Sequence, residues 1–208
     1  MNTITPIKAT TLTPFSYHSL MVQGGTTTLQ GVISDTAIMY GLCSTLGFMR
    51  NTVVLPSKDY KRDLLNMPLR ASVFTDDNPS LLPPLYRRIN LEEEGGYKKQ
   101  VQDTVKKGNL GAFHQIQEVN IGQIFRGALF GFDIFQYTGL DEVVIRVGLH
   151  RNGMIKLERG SVDSVRLNAH TAKLFDCDLD VDRYMLHNIQ LTSCLSLPDA
   201  SNIVSDWR

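Results

Sequence analysis

Apolar and polar residues alternate along much of this chain, and a period of two is typical of β-strands that bury one face. Residues 4–20 alternate apolar side chains with threonines, which predicts a long strand or a pair of strands. The threonine run that follows Gly24 and Gly25 predicts a flexible loop. The first part of the chain is therefore expected to contribute strands to a sheet.

One segment has a different period. From Ser34 onward the apolar residues recur every three to four positions, which predicts an amphipathic helix. Ser34 or Asp35 is the expected N-cap, and Gly47 stands near the expected end. The apolar stripe of this helix is suited to packing on a sheet, and it consists of Ile38, Leu42, Leu46 and Met49.

Strand patterns return after the helix and dominate the rest of the chain. Asn152-Gly153 is typical of a tight hairpin turn, and the tail from Leu174 alternates again. Many strands and one firm helix predict an α+β domain. The segments expected to be extended are 52–55, 69–74, 124–135, 143–147 and 154–157, and the charged residues 58–63 and the polar residues 75–80 are expected to form turns.

A polar stretch interrupts this pattern over residues 83–117. It is rich in lysine, arginine, glutamate and glycine and has little to bury. A polar segment of this length does not fit inside a compact core, so it is expected to form a protruding hairpin or loop. We assign the hairpin itself to residues 84–117.

The composition is that of a globular protein of one domain, residues 1–208. Lysine plus arginine and aspartate plus glutamate both number 21, which excludes indiscriminate adhesion to nucleic acid by bulk charge. The balance hides an asymmetry, because residues 1–160 hold 17 basic and 14 acidic groups while residues 161–208 hold 4 and 7. The acidic end is better suited to a protein neighbour than to RNA.

Cysteine usage and apolar runs predict a cytoplasmic protein. Cys43, Cys177 and Cys194 form no C-x-x-C pair, so they are expected to be reduced and to behave as small core residues. No apolar run is typical of a signal peptide or long enough to span a membrane.

Familiar metal and nucleotide motifs do not match, and no cofactor is predicted. The alternating aspartates of residues 176–182 lack the glycine and glutamate of an EF-hand loop. They are expected to form the solvated face of a strand, with a divalent-ion or protein-contact role as the alternative. The glycines of residues 122–127 have phosphate-loop spacing, but Ala128 stands where the lysine is needed. The five histidines are scattered.

Basic residues beside glycines and aromatic residues are the remaining chemical signal. Lysines at such turns neutralise phosphates, and neighbouring rings stack on unpaired bases. If residues 143–147 form a strand, Arg146 lies on the same side as Val144, next to the turn. The RNA-binding candidates are Lys98, Lys99, Lys106, Lys107, Phe113, His114, Arg126, Arg146, His150, Arg151 and Lys156.

The order of these features resembles a known family. The helix segment is ISDTAIMYGLCSTLGFM, and after the polar stretch come IFRGALFGFDIF and VIRVGLHRNGMIKLE. In this order they resemble the Cas-five-type RAMP subunit of class 1 CRISPR effector complexes, most closely the type I-D form, with the type IV form second. The resemblance implies a ferredoxin-like (RRM/RAMP) antiparallel sheet with one main helix, a thumb hairpin at 84–117 and a strand-rich acidic tail at 161–208.

The resemblance also implies a function. Members of this family cap the 5′ handle of the CRISPR RNA and pack against the backbone and large subunits, so they meet target DNA only indirectly. Carried onto this sequence, Arg146, Gly148, His150, Arg151 and Lys156 are the expected handle contacts. The glutamates of residues 92–94 depart from a basic thumb and are expected to face a protein neighbour.

Binding without cutting is the expected mechanism, and two alternatives stay open. Some relatives cleave precursor RNA, which needs a base, an acid and a cation. Tyr97, Lys106 and His114 supply those residue types, but no spacing rule ties them together. The other alternative is an assembly subunit that reads no RNA and whose basic turns contact acidic partners.

Overall fold

A computed structural model describes residues 3–16, 19–22, 25–48, 59–90, 111–148 and 152–207. Its largest element is a seven-stranded sheet with the strand order β10-β11-β1-β9-β6-β4, in which β5 also pairs with β9. All of its strand pairs are antiparallel. The strands are β1 (Ile4–Thr11), β4 (Val32–Ile33), β5 (Arg70–Ala71), β6 (Phe74–Thr75), β9 (Ile124–Phe130), β10 (Glu142–Val147) and β11 (Gly153–Arg159).

Strand β1 lies at the centre of this sheet, between β9 and β11. Its side chains alternate between half-buried and buried, so the predicted period of two is confirmed. Lys8 is opposite Arg126 of β9 on one side and Glu158 of β11 on the other. Residues 12–16, which the sequence includes in the first strand, lie outside β1, and only Phe15 bridges to Val119.

The longest helix, α1 (Asp35–Thr45), covers one face of the sheet and contacts β5 and β10. It begins where the sequence predicts, because the Ser34 side chain accepts a hydrogen bond from the Thr36 amide. The helix lies so close to β10 that a Cβ on Gly41 would be 3.0 Å from Ile145 Cδ1. Ile38 and Leu42 are fully buried here, which confirms the predicted apolar stripe at these two positions.

The chain order of these elements gives the fold class. Strand β1 is followed by α1, β6 and β9, then by the short helix α3 (Ile134–Thr138) and finally by β11. In space these four strands follow the order fourth, first, third, second, which is typical of the ferredoxin-like fold. The predicted α+β class with an antiparallel ferredoxin-like sheet is therefore confirmed, with β10 added at the edge.

A second sheet of four strands forms from the segments around residues 19–28 and 85–116. Its order is β2-β3-β8-β7, with β3 and β8 parallel. The expected flexible loop after Gly25 is wrong, because threonine suits extended backbone and residues 25–28 pair with β2. Residues 91–110, in the middle of the expected thumb, lie outside the described residues. The strands are β2 (Ser19–Val22), β3 (Gly25–Thr28), β7 (Leu85–Asn90) and β8 (Gly111–Ile116).

The tail contains helices as well as strands, so the expectation of a strand-rich tail is only partly correct. Ser196 caps α5 by accepting a hydrogen bond from the Asp199 amide, and Pro198 stands in the first turn. A serine followed three residues later by an acid is typical of a helix start, and the alternation of apolar residues does not indicate it. The tail elements are β12 (Ser164–Val165), α4 (Ala169–Leu174), β13 (Arg183–Leu186), β14 (Ile189–Leu191), β15 (Leu195–Ser196) and α5 (Leu197–Ser205).

Arg70 anchors the end of the described chain. Its guanidinium donates hydrogen bonds to the carbonyls of Met67, Leu69 and Trp207, at 2.9, 3.0 and 3.2 Å. It also lies 4.8 Å from the centre of the Phe175 ring, and that ring stacks on Trp207. Burial lowers the pKa of Arg70. The tail is thus fixed to β5 by one half-buried cation.

The aspartates of residues 176–182 do not form a strand, which corrects the sequence interpretation. They precede β13 in an irregular segment, and Asp176 has a φ of 61°. Their carboxylates pair with cations of the same chain: Asp176 with Lys61 at 2.8 Å, Asp178 with Lys173 at 3.9 Å and Asp182 with Arg166 at 2.7 Å. Three of these four aspartates therefore have a partner within the chain.

Two boundaries and one cysteine differ from expectation. The charged turn contains α2 (Tyr60–Leu65), because the Asp59 carboxylate accepts from the Arg62 amide and starts a helix. The buried strand ends at Phe130, and Asp133 caps α3. Cys43 is buried, and burial raises the pKa of its thiol to about 11, but Cys194 is exposed.

Within the described ranges no helix is long and apolar enough to cross a membrane.

Candidate nucleic-acid interface

Along β1, β10 and β11, the side of the central sheet that faces away from α1 carries half-buried and exposed side chains. Because side chains alternate along each strand, every second residue of β1, β10 and β11 belongs to it. The burial patterns show this directly, with Val143, Ile145 and Val147 buried and their neighbours Glu142, Val144 and Arg146 exposed. We call this surface the open face, and it consists of Pro6, Lys8, Thr10, Ile124, Arg126, Glu142, Val144, Arg146, Met154, Lys156 and Glu158.

Four charged side chains in the middle of the open face form a network. Glu158 lies between two cations, with Lys156 at 3.1 Å and Lys8 at 3.5 Å. Lys156 also pairs with Glu142 at 3.3 Å. The hydrogen bonds that Lys156 donates to the carboxylates of Glu158 and Glu142 raise the pKa of Lys156, and the bond to Glu158 lowers the pKa of Glu158. This charge network is neutral overall, with two lysines and two glutamates.

Two arginines flank the charge network without an ion-pair partner among the described residues. Arg126 and Arg146 are both exposed. Their strands, β9 and β10, lie on either side of the β11-β1 pair. From the strand register and ordinary strand spacings, the Cα atoms of the two arginines are roughly 20 Å apart. The open face therefore has a net positive charge at its two ends and a neutral centre.

The turn beside Arg146 is held in place by Phe15. Gly148 has a φ of 82°, and a Cβ there would lie 2.9 Å from the Ser16 carbonyl oxygen. On the returning strand, a Cβ on Gly153 would lie 2.5 Å from Phe15 Cγ. These close approaches require glycine at both ends of the turn. The expectation that Arg146 lies on the same side as Val144 is confirmed.

The structure brings three of the predicted site residues onto one surface, namely Arg126, Arg146 and Lys156. Phe113 and His114 lie on β8, in the second sheet. Their role, like that of the others, stays a prediction. The remaining candidates lie outside the described residues, and they are Lys98, Lys99, Lys106, Lys107, His150 and Arg151.

Sequence reasoning missed Lys8 and the two glutamates of the charge network. Lys8 stands in an alternating strand between Ile7 and Ala9, so its exposure could have been predicted. Its neighbours could not, because the pairing of Lys8 with Glu158 joins residues 150 positions apart. The carboxylates matter because they compete with phosphate for both lysines.

A groove of about 780 Å³ continues from Arg126 toward the tail. Beyond Arg126 the same side of β9 is covered, since Ala128 and Phe130 are buried and α5 contacts this strand. The tail supplies Arg166 and Arg183 to the groove, and Arg166 is held by Asp182 and the Thr192 carbonyl. Asp76, Asp77 and Asp163 line it as well, so its charges are mixed.

Comparison with solved structures finds chains of similar fold. No protein-family model matches the chain, and no curated protein matches it. A chain in a cryo-EM structure of the type III-B Cmr-beta bound to cognate target RNA and AMPPnP is similar with a TM-score of 0.44 and 12% identity, over 96% of this chain and 88% of that chain. A likeness at this level assigns neither a family nor a function.

No cluster of metal-ligating side chains occurs among the residues described here.

Proposed function

We propose that this protein is a non-catalytic RNA-binding subunit of a CRISPR effector complex, and that its open face contacts the RNA backbone. The observation that carries the proposal is the open face itself, a sheet surface with Arg126 and Arg146 at its ends and no carboxylate paired with either among the described residues. An arginine without an ion pair is free to form charge-assisted hydrogen bonds with phosphate.

The chemistry of the open face favours contacts to the RNA backbone over contacts to bases. None of its residues is aromatic, whereas sheet proteins that stack bases on their strands use aromatic rings. Val144 and Met154 give apolar contact between the charged groups. Backbone contacts position an RNA but carry no sequence information. Recognition of particular bases therefore belongs to another part of the molecule.

We infer the finer role from the family resemblance of the sequence. The ferredoxin-like order of the strands supports it, as does the position of the β10–β11 turn next to Arg146. In this role the chain caps the 5′ handle of the CRISPR RNA, with His150 and Arg151 at the turn as further contacts. The backbone and large subunits of the complex are its proposed protein partners.

Quantitative binding to single-stranded RNA tests this function. The probe is a labelled repeat RNA that carries the repeat-derived 5′ handle of a CRISPR RNA, and the comparison is a shuffled RNA of equal length. We expect the repeat RNA to bind more tightly, and Arg146→Ala and Arg126→Ala each to weaken it about five- to tenfold, as for the loss of one charge-assisted contact. Each substitution should also reduce the salt dependence by about one phosphate contact.

Lys173→Ala is the matched control, since Lys173 is an exposed cation on α4, outside the open face. It should bind RNA like the unmodified protein. Equal affinity for the two RNAs would leave only backbone adhesion and contradict handle recognition. If no RNA bound, the assembly-subunit alternative would hold. Metal-independent release of a shortened RNA would instead indicate the ribonuclease.

A further inference from the structure

Residues 12–16, which follow β1, lie against the turn between β10 and β11. The Leu12 amide donates a hydrogen bond to the Met154 carbonyl at 2.8 Å. The Met154 amide donates to the Thr13 hydroxyl at 2.9 Å, and that hydroxyl donates to the Asn152 carbonyl at 3.2 Å. One threonine side chain thus holds two backbone groups around the start of β11. We call residues 12–16 the brace.

Phe15 supplies the apolar part of the brace. Its side chain is fully buried and lies beside Gly148 and Gly153, the two glycines that flank the turn. A Cβ on Gly148 would lie 3.0 Å from Phe15 Cδ2, so the ring fills the space next to that glycine. The brace therefore contacts both the strand that enters the turn and the strand that leaves it.

The opposite side of the brace is bonded to the segment that follows β8. The Val119 amide donates to the Phe15 carbonyl at 2.8 Å, and the two residues form an antiparallel bridge. Leu81, which precedes β7, bridges to Val119 as well. A segment held by hydrogen bonds on both sides and by a buried ring is a firm support for the turn.

Met154 links the brace to Arg146. The strand register places Met154 directly opposite Arg146, and both side chains belong to the open face. Arg146 has no ion pair among the described residues, so its position depends on the backbone that carries it. Thr13 thus reaches Arg146 through one intermediate residue.

We propose that Thr13 is a positioning residue for RNA binding, which fixes the backbone at Met154 so that Arg146 is presented to phosphate. A contact group whose backbone is already fixed loses less freedom when it binds, and this raises affinity. The inference rests on the proposed function, because it concerns the same open face. It assigns Thr13 a role in RNA binding without any contact to the RNA.

Thr13→Val and Thr13→Ser test this role in two measurements. Thr13→Val keeps the branched shape but removes the hydroxyl, so hydrogen exchange of the Met154 amide should become about five- to tenfold faster. Affinity for the repeat RNA should fall about two- to fivefold, less than in Arg146→Ala, because a neutral hydrogen bond is lost rather than a charged contact. Thr13→Ser retains the hydroxyl and should keep both values close to those of the unmodified protein.

Thr138→Val is the matched control. The Thr138 hydroxyl is also half-buried, donates to the Ile134 carbonyl at 2.8 Å and accepts from the Leu140 amide at 3.3 Å, but it belongs to α3. This variant should lower the midpoint of thermal unfolding about as much as Thr13→Val does and leave RNA affinity unchanged. Equal losses of affinity in the two variants would indicate general destabilisation and overturn the inference, as would unchanged exchange of the Met154 amide in Thr13→Val.

A double-mutant cycle separates positioning from direct contact. If Thr13 acts through Arg146, adding Thr13→Val to Arg146→Ala should cause no further loss of affinity, whereas adding it to Arg126→Ala should cause the full loss. The same further loss in both backgrounds would overturn the positioning role. An unmodified protein that binds no RNA would overturn the proposed function and the positioning role with it. RNA binding that Thr13→Val leaves unchanged would overturn the positioning role alone.

Discussion

The two faces of the central sheet are made by alternate residues of the same strands, yet they differ in almost every physical property. On β11, Ile155 is fully buried, while its neighbour Lys156 lies in the charge network of the open face. The buried face is apolar and closely packed. The open face has charges at every strand and little apolar surface. One strand thus supplies stability with one set of residues and the proposed binding surface with the other.

This separation means that stability and RNA binding can be changed independently. A substitution on the buried face removes packing, which the whole domain feels. A substitution on the open face alters charges in water, where ion pairs contribute little to stability but act directly on a phosphate. The following changes test how complete the separation is.

Ile155→Ala should have the largest effect. Ile155 is fully buried, and truncation of such a side chain to alanine costs about 2–5 kcal/mol. Chemical denaturation should show this loss, while the protein that remains folded binds RNA with unchanged affinity. Val144→Ala, on the exposed side of the neighbouring strand, is the control and should change stability by about 0.5 kcal/mol at most. A matching loss of RNA affinity in Ile155→Ala would show that the two faces are coupled.

Asp35→Ala should cost about 1–3 kcal/mol, because it removes the acceptor of two buried hydrogen bonds. The carboxyl oxygen Oδ1 accepts from the Asn168 amide and the Ser34 hydroxyl, both at 3.0 Å. Asp35→Asn keeps an acceptor and removes the buried charge, so it should be at least as stable as the unmodified protein near neutral pH. A large loss in Asp35→Asn, measured by thermal unfolding, would show that the charge itself is needed.

The same residue predicts a pH dependence. Burial raises the pKa of Asp35 above its ordinary value of 3.8, although hydrogen bonds from Asn168 and other polar neighbours offset part of this. The folded state therefore binds the proton more tightly than the unfolded chain. The stability that Asp35 contributes is complete below about pH 3.8 and falls as the pH rises toward the folded-state pKa. The advantage of Asp35→Asn should grow over that interval. A constant difference between the two proteins would contradict the prediction.

Glu158→Gln should strengthen RNA binding about two- to fivefold at low salt. It removes a carboxylate that lies 3.1 Å from Lys156 and 3.5 Å from Lys8, so Lys8 becomes available to phosphate and Lys156 keeps only its ion pair with Glu142. Its effect on the free energy of unfolding should stay within about 1 kcal/mol, as for other exposed ion pairs. Asp133→Asn alters a carboxylate outside the open face and serves as the binding control. An unchanged or lower RNA affinity in Glu158→Gln would place the RNA elsewhere.

Lys8→Met should have the smallest effect. The long ion pair with Glu158 contributes little, so stability should change by about 0.5 kcal/mol or less. RNA affinity should fall about twofold and the salt slope should decrease slightly, because one partly neutralised cation is lost. Lys8→Arg keeps the charge and should bind like the unmodified protein. Equal binding by Lys8→Met and Lys8→Arg would remove β1 from the interface.

The elements that the sequence predicts correctly are those whose signal is local. The alternation of β1 and β10 shows which side chains are buried, and the Ser34 cap with its apolar stripe locates α1. Features that depend on distant partners could not be predicted. Gly127 is one, since a Cβ there would lie 2.2 Å from the Phe74 ring, and nothing near Gly127 in the sequence indicates that ring.

The candidate site shows the same limit. The exposure of Arg146 follows from the alternation of its own strand. That Arg146 has no carboxylate partner among the described residues depends on which residues the register places opposite β10. Lys156 shows the opposite outcome, because its charge is neutralised. Its partners are Glu158 on the same strand and Glu142 across the hairpin. A list of basic residues therefore indicates which cations are present, but only the strand register shows which of them are unpaired.

Trp207 gives the molecule an optical reporter of its own. It is the only tryptophan of the chain, and it is buried against Phe175 and the Arg70 guanidinium at the end of the tail. Selective excitation of its indole therefore follows the attachment of the tail, because release into water would shift the emission to longer wavelength. Since Trp207 does not belong to the open face, its emission should stay constant while RNA binds and change only when the tail detaches.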